Sequence, residues 1–219
     1  QMPELIERGH LFIAQPPLYK VARGKSQQYL KDERALEDYL IDNGIEGMIL
    51  RLSTGEERSG LDLKRLVEEA RLVRNVLGGL HSRYDRLVVE QAAIVGMLHP
   101  VSDPDAALKG AATIVERLDA AADVTERGWS GQVVDGGLVF ERTLRGVKHV
   151  ATLDQGLLGS ADARKLDEHA ASLREAYGAP AQLARKGDDV QVNGPTGLFE
   201  AVMAIGRKGL SLQRYKGLG

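Results

Sequence analysis

The stretch that decides the fold class is residues 129–153, which read WSGQVVDGGLVFERTLRGVKHVATL. Apolar and polar residues alternate through it, as expected of strands that bury one face. Two turn sequences interrupt the alternation, Asp135-Gly136-Gly137 and Arg145-Gly146. Glycine-containing pairs of this kind join neighbouring antiparallel strands. The stretch therefore predicts an antiparallel meander with strands over residues 132–134, 138–144 and 147–153.

Helices are predicted on both sides of the meander. Before it, apolar residues recur at steps of three or four from Leu63 to Tyr84, which predicts one long amphipathic helix. A second helix is expected over residues 88–98, and Asp103-Pro104 begins a third with a cap residue ahead of a first-turn proline. After the meander, one helix is expected to end at Gly178, and Thr196 is expected to cap the last. The predicted fold class is α+β.

Composition excludes several classes of protein. Of the 219 residues, 43% are apolar and 27% charged, so the chain can bury a core, which a disordered chain cannot. It has no cysteine, which excludes disulfides and thiol chemistry and fits a reducing compartment. No apolar run approaches the roughly 20 residues of a membrane helix. We therefore expect a soluble, cytoplasmic protein.

The net charge of −2 conceals an uneven distribution. Residues 1–34 hold six basic and four acidic residues, and residues 207–219 hold four basic residues and no acid. Residues 35–206 hold 19 basic residues against 27 acids. Phosphate binding needs clustered Lys and Arg. Any nucleic-acid contact is therefore expected at the two ends, and the acidic middle should repel DNA.

The first 43 residues predict a helix end, a strand, a hairpin and a second helix. Residues 2–8 are typical of the last turns of a helix that Gly9 stops, and residues 10–14 of a short apolar strand. Residues 18–21 and 27–31 are expected to pair as a hairpin. Asp32 is then the predicted N-cap of a helix that ends near Asn43-Gly44.

The chain finishes with Gln213 to Gly219, which read QRYKGLG. Two bases and an aromatic beside glycines suit a backbone that approaches a phosphate closely, although composition alone favours a surface strand and a glycine turn. A second string runs from Arg8-Gly9-His10 through QPPLYK at residues 15–20 to QYLKD at residues 28–32. Together the two strings resemble the B subunits of bacterial type IIA topoisomerases.

Residues 44–208 separate the two strings, and an insert of that size favours the gyrase branch of this family over topoisomerase IV. The resemblance implies that residues 1–43 are the C-terminal part of a Toprim domain, that 44–208 form an insert domain acting as a scaffold, and that 209–219 return to the Toprim region. The expected architecture is thus a partial Toprim α/β segment formed by both chain ends, plus an inserted domain of long helices and the meander.

For function, the resemblance implies an ATP-dependent topoisomerase that negatively supercoils DNA together with the gyrase A protein, in a heterotetramer of two A and two B subunits. The same resemblance implies that Mg²⁺ and ATP bind the full-length enzyme. The family's metal-binding EGDSA and DxD strings would precede residue 1, so we expect no catalytic residue, metal site or bound cofactor in this chain. Contacts with the DNA backbone are expected from Arg214, Lys216, Gly217 and Gly219, with Lys20 a weaker candidate.

Two alternatives stay open at this point besides the B subunit of a topoisomerase IV. One is a stand-alone protein-interaction module without a DNA function. The other is an insert that itself binds DNA through a basic face of the long helix, formed by Arg65, Arg71, Arg74 and Arg83.

Other motifs favour structural roles. Asp103-Pro104-Asp105 is formally a DxD string, but acids at a helix start are typical caps. Gly24-Lys25-Ser26 lacks the first glycine of a phosphate-binding loop and favours a hairpin turn. The five histidines lack metal-ligand spacing, and Trp129 is expected in the core rather than on a base-stacking surface.

Overall fold

The computed structural model describes Glu7, residues 16–185 and residues 188–215. The chain divides into a terminal unit, made of Gln1–Gly44 and Met203–Gly219, and a central unit, Ile45–Val202. Every strand pair in the described residues is antiparallel, and helices are interspersed with the strands. The fold class is therefore α+β, which confirms the prediction. No helix in the described ranges combines the length and apolar character needed to cross a bilayer.

The strands and helices alternate along the chain. The strands of the described residues are β1 (Tyr19–Arg23), β2 (Ser26–Leu30), β3 (Ile49–Arg51), β4 (Glu57–Ser59), β5 (Ser130–Val134), β6 (Gly137–Leu144), β7 (Val147–Leu153), β8 (Ala181–Arg185), β9 (Asp188–Val192) and β10 (Ser211–Arg214). The helices are α1 (Glu33–Gly44), α2 (Gly60–Gly79), α3 (Arg86–Val95), α4 (Pro104–Ala121), α5 (Gln155–Leu158), α6 (Ala161–Asp167), α7 (Ala170–Tyr177) and α8 (Pro195–Arg207), with a 3-10 turn at Val124–Glu126.

The terminal unit is a three-stranded sheet of order β10-β1-β2 with α1 packed on one face. Strands β1 and β2 form the predicted hairpin, and Gly24 in its turn has a φ of +58°, which glycine adopts without strain. Asp32 caps α1 as predicted, because its Oδ1 accepts a hydrogen bond from the Ala35 N–H at 2.8 Å. The helix and strand predicted over residues 2–8 and 10–14 lie outside the described residues, apart from Glu7, which is helical.

Helix α8 ends in the terminal unit, where its backbone lies directly against α1. An added Cβ on Gly206 would lie 2.2 Å from the Leu40 carbonyl oxygen, so only glycine fits there. The Gly206 carbonyl oxygen in turn accepts a hydrogen bond from Nη2 of Arg23 at 2.6 Å. This contact joins the last helix to the first strand and the first helix of the unit.

The central unit contains the predicted meander. Strands β5, β6 and β7 pair in that order, and the turns between them place Asp135 at a φ of +49° and Arg145 at +50°, each followed by a glycine that also has a positive φ. The two sequences thus form the tight hairpin turns that the glycine pairs predicted. Leu138 and Phe140 are buried on the face that packs toward α4. The predicted strands are confirmed.

Helices α2, α3 and α4 confirm the helices predicted ahead of the meander, but two of their ends were predicted wrongly. Helix α2 ends at Gly79 rather than at Tyr84, because Leu80 turns to an extended conformation with φ −62° and ψ 147°. Helix α3 ends at Val95 rather than at residue 98, since Gly96 adopts a left-handed conformation and its N–H bonds to carbonyls of the last turn.

A four-stranded sheet of order β4-β3-β8-β9 completes the central unit, together with α5, α6 and α7. One continuous helix was expected to end at Gly178, and the structure instead has a break between α6 and α7. At the break, the ring Nδ1 of His169 lies 2.7 Å from Oε1 of Glu69, and the Ser172 hydroxyl donates to Oε2 of the same carboxylate at 2.7 Å. The chain turns here to meet α2, which local periodicity could not predict.

Candidate nucleic-acid interface

The sheet of the terminal unit has an inner face and an outer face. Tyr19, Val21 and Leu30 point inward, where they are buried with apolar residues of α1. Side chains alternate along a strand, so Lys20 points outward, and the register places it opposite Tyr29 on β2 and Gln213 on β10. The outer sheet face consists of Lys20, Ala22, Gln27, Tyr29, Ser211, Gln213 and Tyr215.

Two tyrosines and a lysine lie together on the outer sheet face. The rings of Tyr29 and Tyr215 are stacked, with centroids 6.5 Å apart and planes inclined by 23°. The Nζ atom of Lys20 lies 5.7 Å from the Tyr29 ring centroid, within the range of a cation–π contact. None of the residues of this face is acidic. A positive charge beside exposed aromatic rings suits a negatively charged, aromatic ligand.

Arg214 lies on the other side of the same sheet. It is paired with Tyr19 in the register, and its guanidinium carbon is 5.9 Å from the Tyr19 ring centroid. The side chain is exposed at the end of β10. Lys20 and Arg214, both predicted to contact DNA, are therefore brought onto adjacent strands but face opposite sides of the sheet. Lys216, Gly217 and Gly219 lie outside the described residues.

The two units differ in the balance of basic and acidic residues. The terminal unit has ten basic residues against seven acids, and the central unit has 19 against 24. The acids of α1, Glu33, Glu37, Asp38 and Asp42, belong to the helix on the inner side of the sheet. Lys31 lies 3.9 Å from Asp32 at the edge of the sheet, where both side chains are exposed and the attraction is weak. The outer sheet face thus combines positive charge with an absence of its own acids.

The basic face that the sequence left open as an alternative on the long helix is not assembled. Arg71 is almost fully buried and is hydrogen-bonded to Glu68, and Arg65 lies 3.7 Å from Asp62. Arg83 follows the helix and pairs with Asp154 at 3.0 Å. Because Arg71 is buried and Arg83 lies beyond the end of α2, the four basic residues do not form one exposed face of this helix. The geometry therefore gives no support to an insert that binds DNA through this helix.

A buried carboxylate holds the start of α8. Glu90 is only 6% exposed, and its Oε1 accepts a hydrogen bond from the Thr196 N–H at 2.7 Å. Burial raises the pKa of Glu90 above its ordinary value, while the hydrogen bonds from Thr196 oppose that shift. The prediction that Thr196 caps α8 was wrong, because Pro195 is already its first residue and Thr196 donates to a side chain 106 positions away.

Arg117 ties α4 to three other parts of the central unit. Its Nε donates to Oε1 of Gln91 at 2.9 Å, its Nη1 to the Gly178 carbonyl at 2.8 Å, and its Nη2 to the Asn193 carbonyl at 3.1 Å. Burial lowers the pKa of Arg117, and the nearby charge of Glu90 opposes that effect. These bonds satisfy a half-buried cation within the unit, which points to a structural role.

A cavity of about 490 Å³ lies beside Glu90 in the central unit. Its charged lining is mixed, with Arg74 and Arg86 facing Glu90 and Glu200. An anion such as a nucleotide phosphate would meet both carboxylates there. No group of three or more acidic or histidine side chains in the described part of the chain is placed to hold a metal ion.

Three structural interpretations of motifs are confirmed. Asp103 caps α4, since its Oδ1 accepts from the N–H groups of Asp105 at 3.0 Å and Ala106 at 3.2 Å. Gly24 and Lys25 form the turn of the first hairpin. Trp129 is 6% exposed, and its ring is covered by the guanidinium of Arg142 at 4.7 Å, so it belongs to the core and not to a base-stacking surface.

Comparisons with known proteins agree on one family. The family model described as GyrB, hook matches residues 17–43, which contain β1, β2 and most of α1. The DNA gyrase B subunit of Caulobacter vibrioides is 46% identical over 219 residues, which cover 100% of this chain and 26% of that protein. The DNA gyrase B subunit of Rickettsia bellii is 32% identical over 221 residues, covering 100% of this chain and 27% of the relative.

The chain belongs to the family of DNA gyrase B subunits. It spans about a quarter of the length of these curated relatives, whose own names concern the whole proteins. The match to the Caulobacter protein runs through both units, so the similarity does not rest on the terminal strings alone. The DNA gyrase B subunit of Campylobacter jejuni is 39% identical over 100 residues, which is 43% of this chain. The family recognised from the two strings is confirmed.

Three residues that the structure singles out were not predicted from the sequence. Tyr29 gave no signal because its partner Tyr215 lies on a strand from the opposite chain end. Glu90 and Arg117 looked like ordinary helix-surface charges, although the apolar residues on both sides of Glu90 in α3 could have indicated burial. An ionisable residue inside an apolar helical run is the sequence signal that would have found it.

Proposed function

We propose that this chain is part of a DNA gyrase B subunit and works within an enzyme that uses ATP to introduce negative supercoils into DNA. The observation that carries the proposal is the alignment of the full chain with relatives of that name at 46% and 32% identity. In this proposal the partners are DNA and the gyrase A protein, the compartment is the cytoplasm, and Mg²⁺ and ATP are bound by parts of the B protein outside this chain.

The terminal unit contributes contacts with the DNA backbone in this proposal. Lys20 and Arg214 are held on paired strands, so their positions are fixed before DNA binds. Lys216 follows in the same string, and Gly217 and Gly219 lack side chains that would keep a phosphate at a distance. Because Lys20 and Arg214 face opposite sides of the sheet, they would meet different phosphates. A charge-assisted bond to a phosphate contributes on the order of 1 to 3 kcal/mol.

The central unit acts as a scaffold in this proposal. Its excess of acids opposes the approach of DNA, whereas its internal ties suit a rigid body. Arg117 joins three segments of the unit, and Glu90 anchors the first turn of α8. A rigid, acidic body connected to a DNA-binding unit can brace the B protein against its own domains or against the gyrase A protein. The Toprim assignment of the chain ends remains part of this proposal.

Binding of duplex DNA as a function of salt concentration tests the proposal. The variants Lys20→Ala, Arg214→Ala and Lys216→Ala should each weaken binding roughly tenfold and reduce the slope of log K against log salt by about one. Lys165→Ala is the matched control, because this exposed lysine lies in the acidic central unit. It should leave the affinity and the slope unchanged.

The outcome also separates the proposal from its rival, a protein-interaction module without a DNA function. Unchanged affinity and slope in all three variants would remove these residues from the interface. Two results together would favour the rival. The chain would bind no DNA, and a full-length B protein with the three substitutions would supercoil DNA normally when combined with the gyrase A protein. Loss of supercoiling with retained assembly of the two proteins supports the DNA contacts.

A further inference from the structure

The stacked tyrosines of the outer sheet face are not used by the backbone contacts proposed above. Tyr29 is 57% exposed and Tyr215 is 36% exposed, so both rings meet solvent. They come from β2 and from the residue after β10, and Lys20 on the strand between them supplies the positive charge. Proteins that bind unpaired nucleic acid combine stacking aromatic rings with a basic surface along the backbone.

We propose that the outer sheet face binds single-stranded DNA by taking one base between Tyr29 and Tyr215 while Lys20 contacts a neighbouring phosphate. The inference rests on the DNA-binding function proposed above. It adds to that function the class of DNA, since this site takes an unpaired base rather than an intact duplex. The inference is based on the position of one lysine beside two exposed, nearly parallel rings.

A base held between the two tyrosines needs a defined distance between their planes. Stacked bases repeat at about 3.4 Å along a strand, so a base between two rings needs them roughly 7 Å apart. The centroids of Tyr29 and Tyr215 are already 6.5 Å apart, and the planes differ by 23°. Both side chains are exposed, so rotation about their side-chain torsions can bring the two planes parallel with a base between them.

The backbone holds both rings in place. Tyr29 lies opposite Lys20 in the ladder between β1 and β2, and the Tyr215 N–H donates to the Leu18 carbonyl at 2.9 Å. Each tyrosine is thus fixed to a paired segment of the same sheet. A tyrosine has only two side-chain torsions to order, so little conformational entropy is lost when a base binds. The site is largely preformed.

Charge and stacking together favour nucleic acid over an aromatic peptide. The outer sheet face has no acid, and Lys20 lies 5.7 Å from the Tyr29 ring, where it can reach a phosphate next to the stacked base. A peptide side chain could stack between the rings but would bring no phosphate to Lys20. Duplex DNA would have to unpair and unstack a base first, which costs free energy. Unpaired DNA offers both an accessible base for the two rings and a phosphate for Lys20.

The test compares three fluorescent ligands for the 219-residue chain at one salt concentration: a thymidine oligonucleotide, an abasic oligonucleotide of the same length, and a duplex. The thymidine and abasic strands carry the same phosphates, so the ratio of their affinities measures stacking alone. We expect the thymidine strand to bind about tenfold more tightly than the abasic strand. Tyr29→Leu and Tyr215→Leu should each reduce that preference, and Tyr29→Phe and Tyr215→Phe should retain it.

Lys20→Ala should weaken binding of the thymidine and abasic strands alike, because it removes a phosphate contact. Gln28→Ala is the matched control, with affinities unchanged, because this exposed residue is next to Tyr29 on β2 but lies on the other side of the sheet. Melting followed by circular dichroism verifies that each variant is folded. Where a Leu variant is not folded, the corresponding Ile variant replaces it, since a β-branched side chain suits a strand and also lacks a ring. Equal binding of the thymidine and abasic strands, or a preference that survives both Leu substitutions, overturns the inference.

The results also separate this inference from the function on which it rests. If the chain binds duplex and abasic DNA through its basic residues but shows no preference for bases, the proposed DNA contacts stand and the base-binding site falls. If the chain binds none of the three ligands, both fail. Competition by an aromatic peptide but not by thymidine oligonucleotides would assign the tyrosines to a protein partner and overturn the inference.

Discussion

Gly206→Ala tests the close contact between α8 and α1 in the terminal unit. The added Cβ would lie 2.2 Å from the Leu40 carbonyl oxygen and 2.9 Å from its carbonyl carbon. Both are backbone atoms, so no change of rotamer can relieve the overlap. The helices must separate by about 1 Å to reach ordinary contact distances near 3.4 Å or more. That movement would also disturb the bond from Arg23 to the Gly206 carbonyl.

Two opposing effects set the magnitude. Alanine is favoured over glycine inside a helix by about 1 kcal/mol. Overpacking of a tight contact costs typically 1 to 3 kcal/mol, and more where the neighbour cannot move. Because the neighbour is backbone, we take the upper end of that range and expect the free energy of unfolding to fall by about 2 kcal/mol. The clash should therefore outweigh the gain in helix propensity.

Gly197→Ala is the matched control in the same helix. No atom lies within 4 Å of the Cβ that it would add, and Gly197 does not have a positive φ. Alanine there should stabilise the chain by up to about 1 kcal/mol. The free energy of unfolding should thus rise in Gly197→Ala and fall in Gly206→Ala, although both positions lie in α8.

Urea unfolding followed by far-UV circular dichroism measures both effects. Trp129, the single tryptophan, belongs to the central unit, so its fluorescence follows that unit separately. The loss in Gly206→Ala should appear in the circular dichroism transition with little change in the tryptophan transition. Unchanged stability of Gly206→Ala, or the same sign for both variants, would refute the close packing of α8 on α1.

Three further predictions concern the central unit and the whole chain. Burial raises the pKa of Glu90 above its ordinary value of 4.5, so the stability linked to its proton is present below that value and lost as the pH rises through the folded pKa. The Glu90→Gln variant should therefore become more stable relative to the unaltered chain as the pH rises from mildly acidic to neutral. Urea titrations in which the difference in unfolding free energy shows no such trend would contradict this prediction. Residues 44–208 alone should melt cooperatively in calorimetry and bind duplex DNA negligibly at physiological salt; tight binding would refute the scaffold role. The chain alone should neither hydrolyse ATP nor cleave DNA, and Mg²⁺-dependent cleavage by the purified chain would show that it holds catalytic groups.

Local patterns were sufficient to predict most of the secondary structure. The meander depends on two hairpin turns whose glycines follow Asp135 and Arg145, and all the information lies within 25 consecutive residues. The caps Asp32 and Asp103 likewise act on N–H groups two or three positions away. Such contacts can be predicted because the residues involved are close in the sequence, and the structure confirms them.

Contacts between distant residues were not predictable from a single sequence. The break between α6 and α7 depends on Glu69, which lies 100 positions from His169. The start of α8 depends on Glu90 in the same way. The candidate interface shows the same limit, because the string that ends in Arg214 revealed its charges but not that the sheet turns Arg214 and Lys20 to opposite sides. Basic residues could be proposed from composition, whereas Tyr29 required the strand register.

The pairing of β1 with β10 has a consequence for the order of folding. Val21 and Leu212 are partners although about 190 residues separate them, whereas pairing of Leu50 with Leu183 inside the central unit shortens the open chain between them to about 60 residues. Closing the shorter loop costs about 1 kcal/mol less. A central unit that folds first thus prepares the closure of the terminal sheet.

During synthesis the delay has a definite length. Ribosomes add about 5 to 20 residues per second, so β10 follows β1 by roughly 10 to 40 s. Throughout that interval the first hairpin exposes the β1 edge that β10 later covers. An unpaired edge is a template for pairing with other chains. The terminal sheet therefore stays incomplete until β10 has been made, and its open edge needs protection during that time.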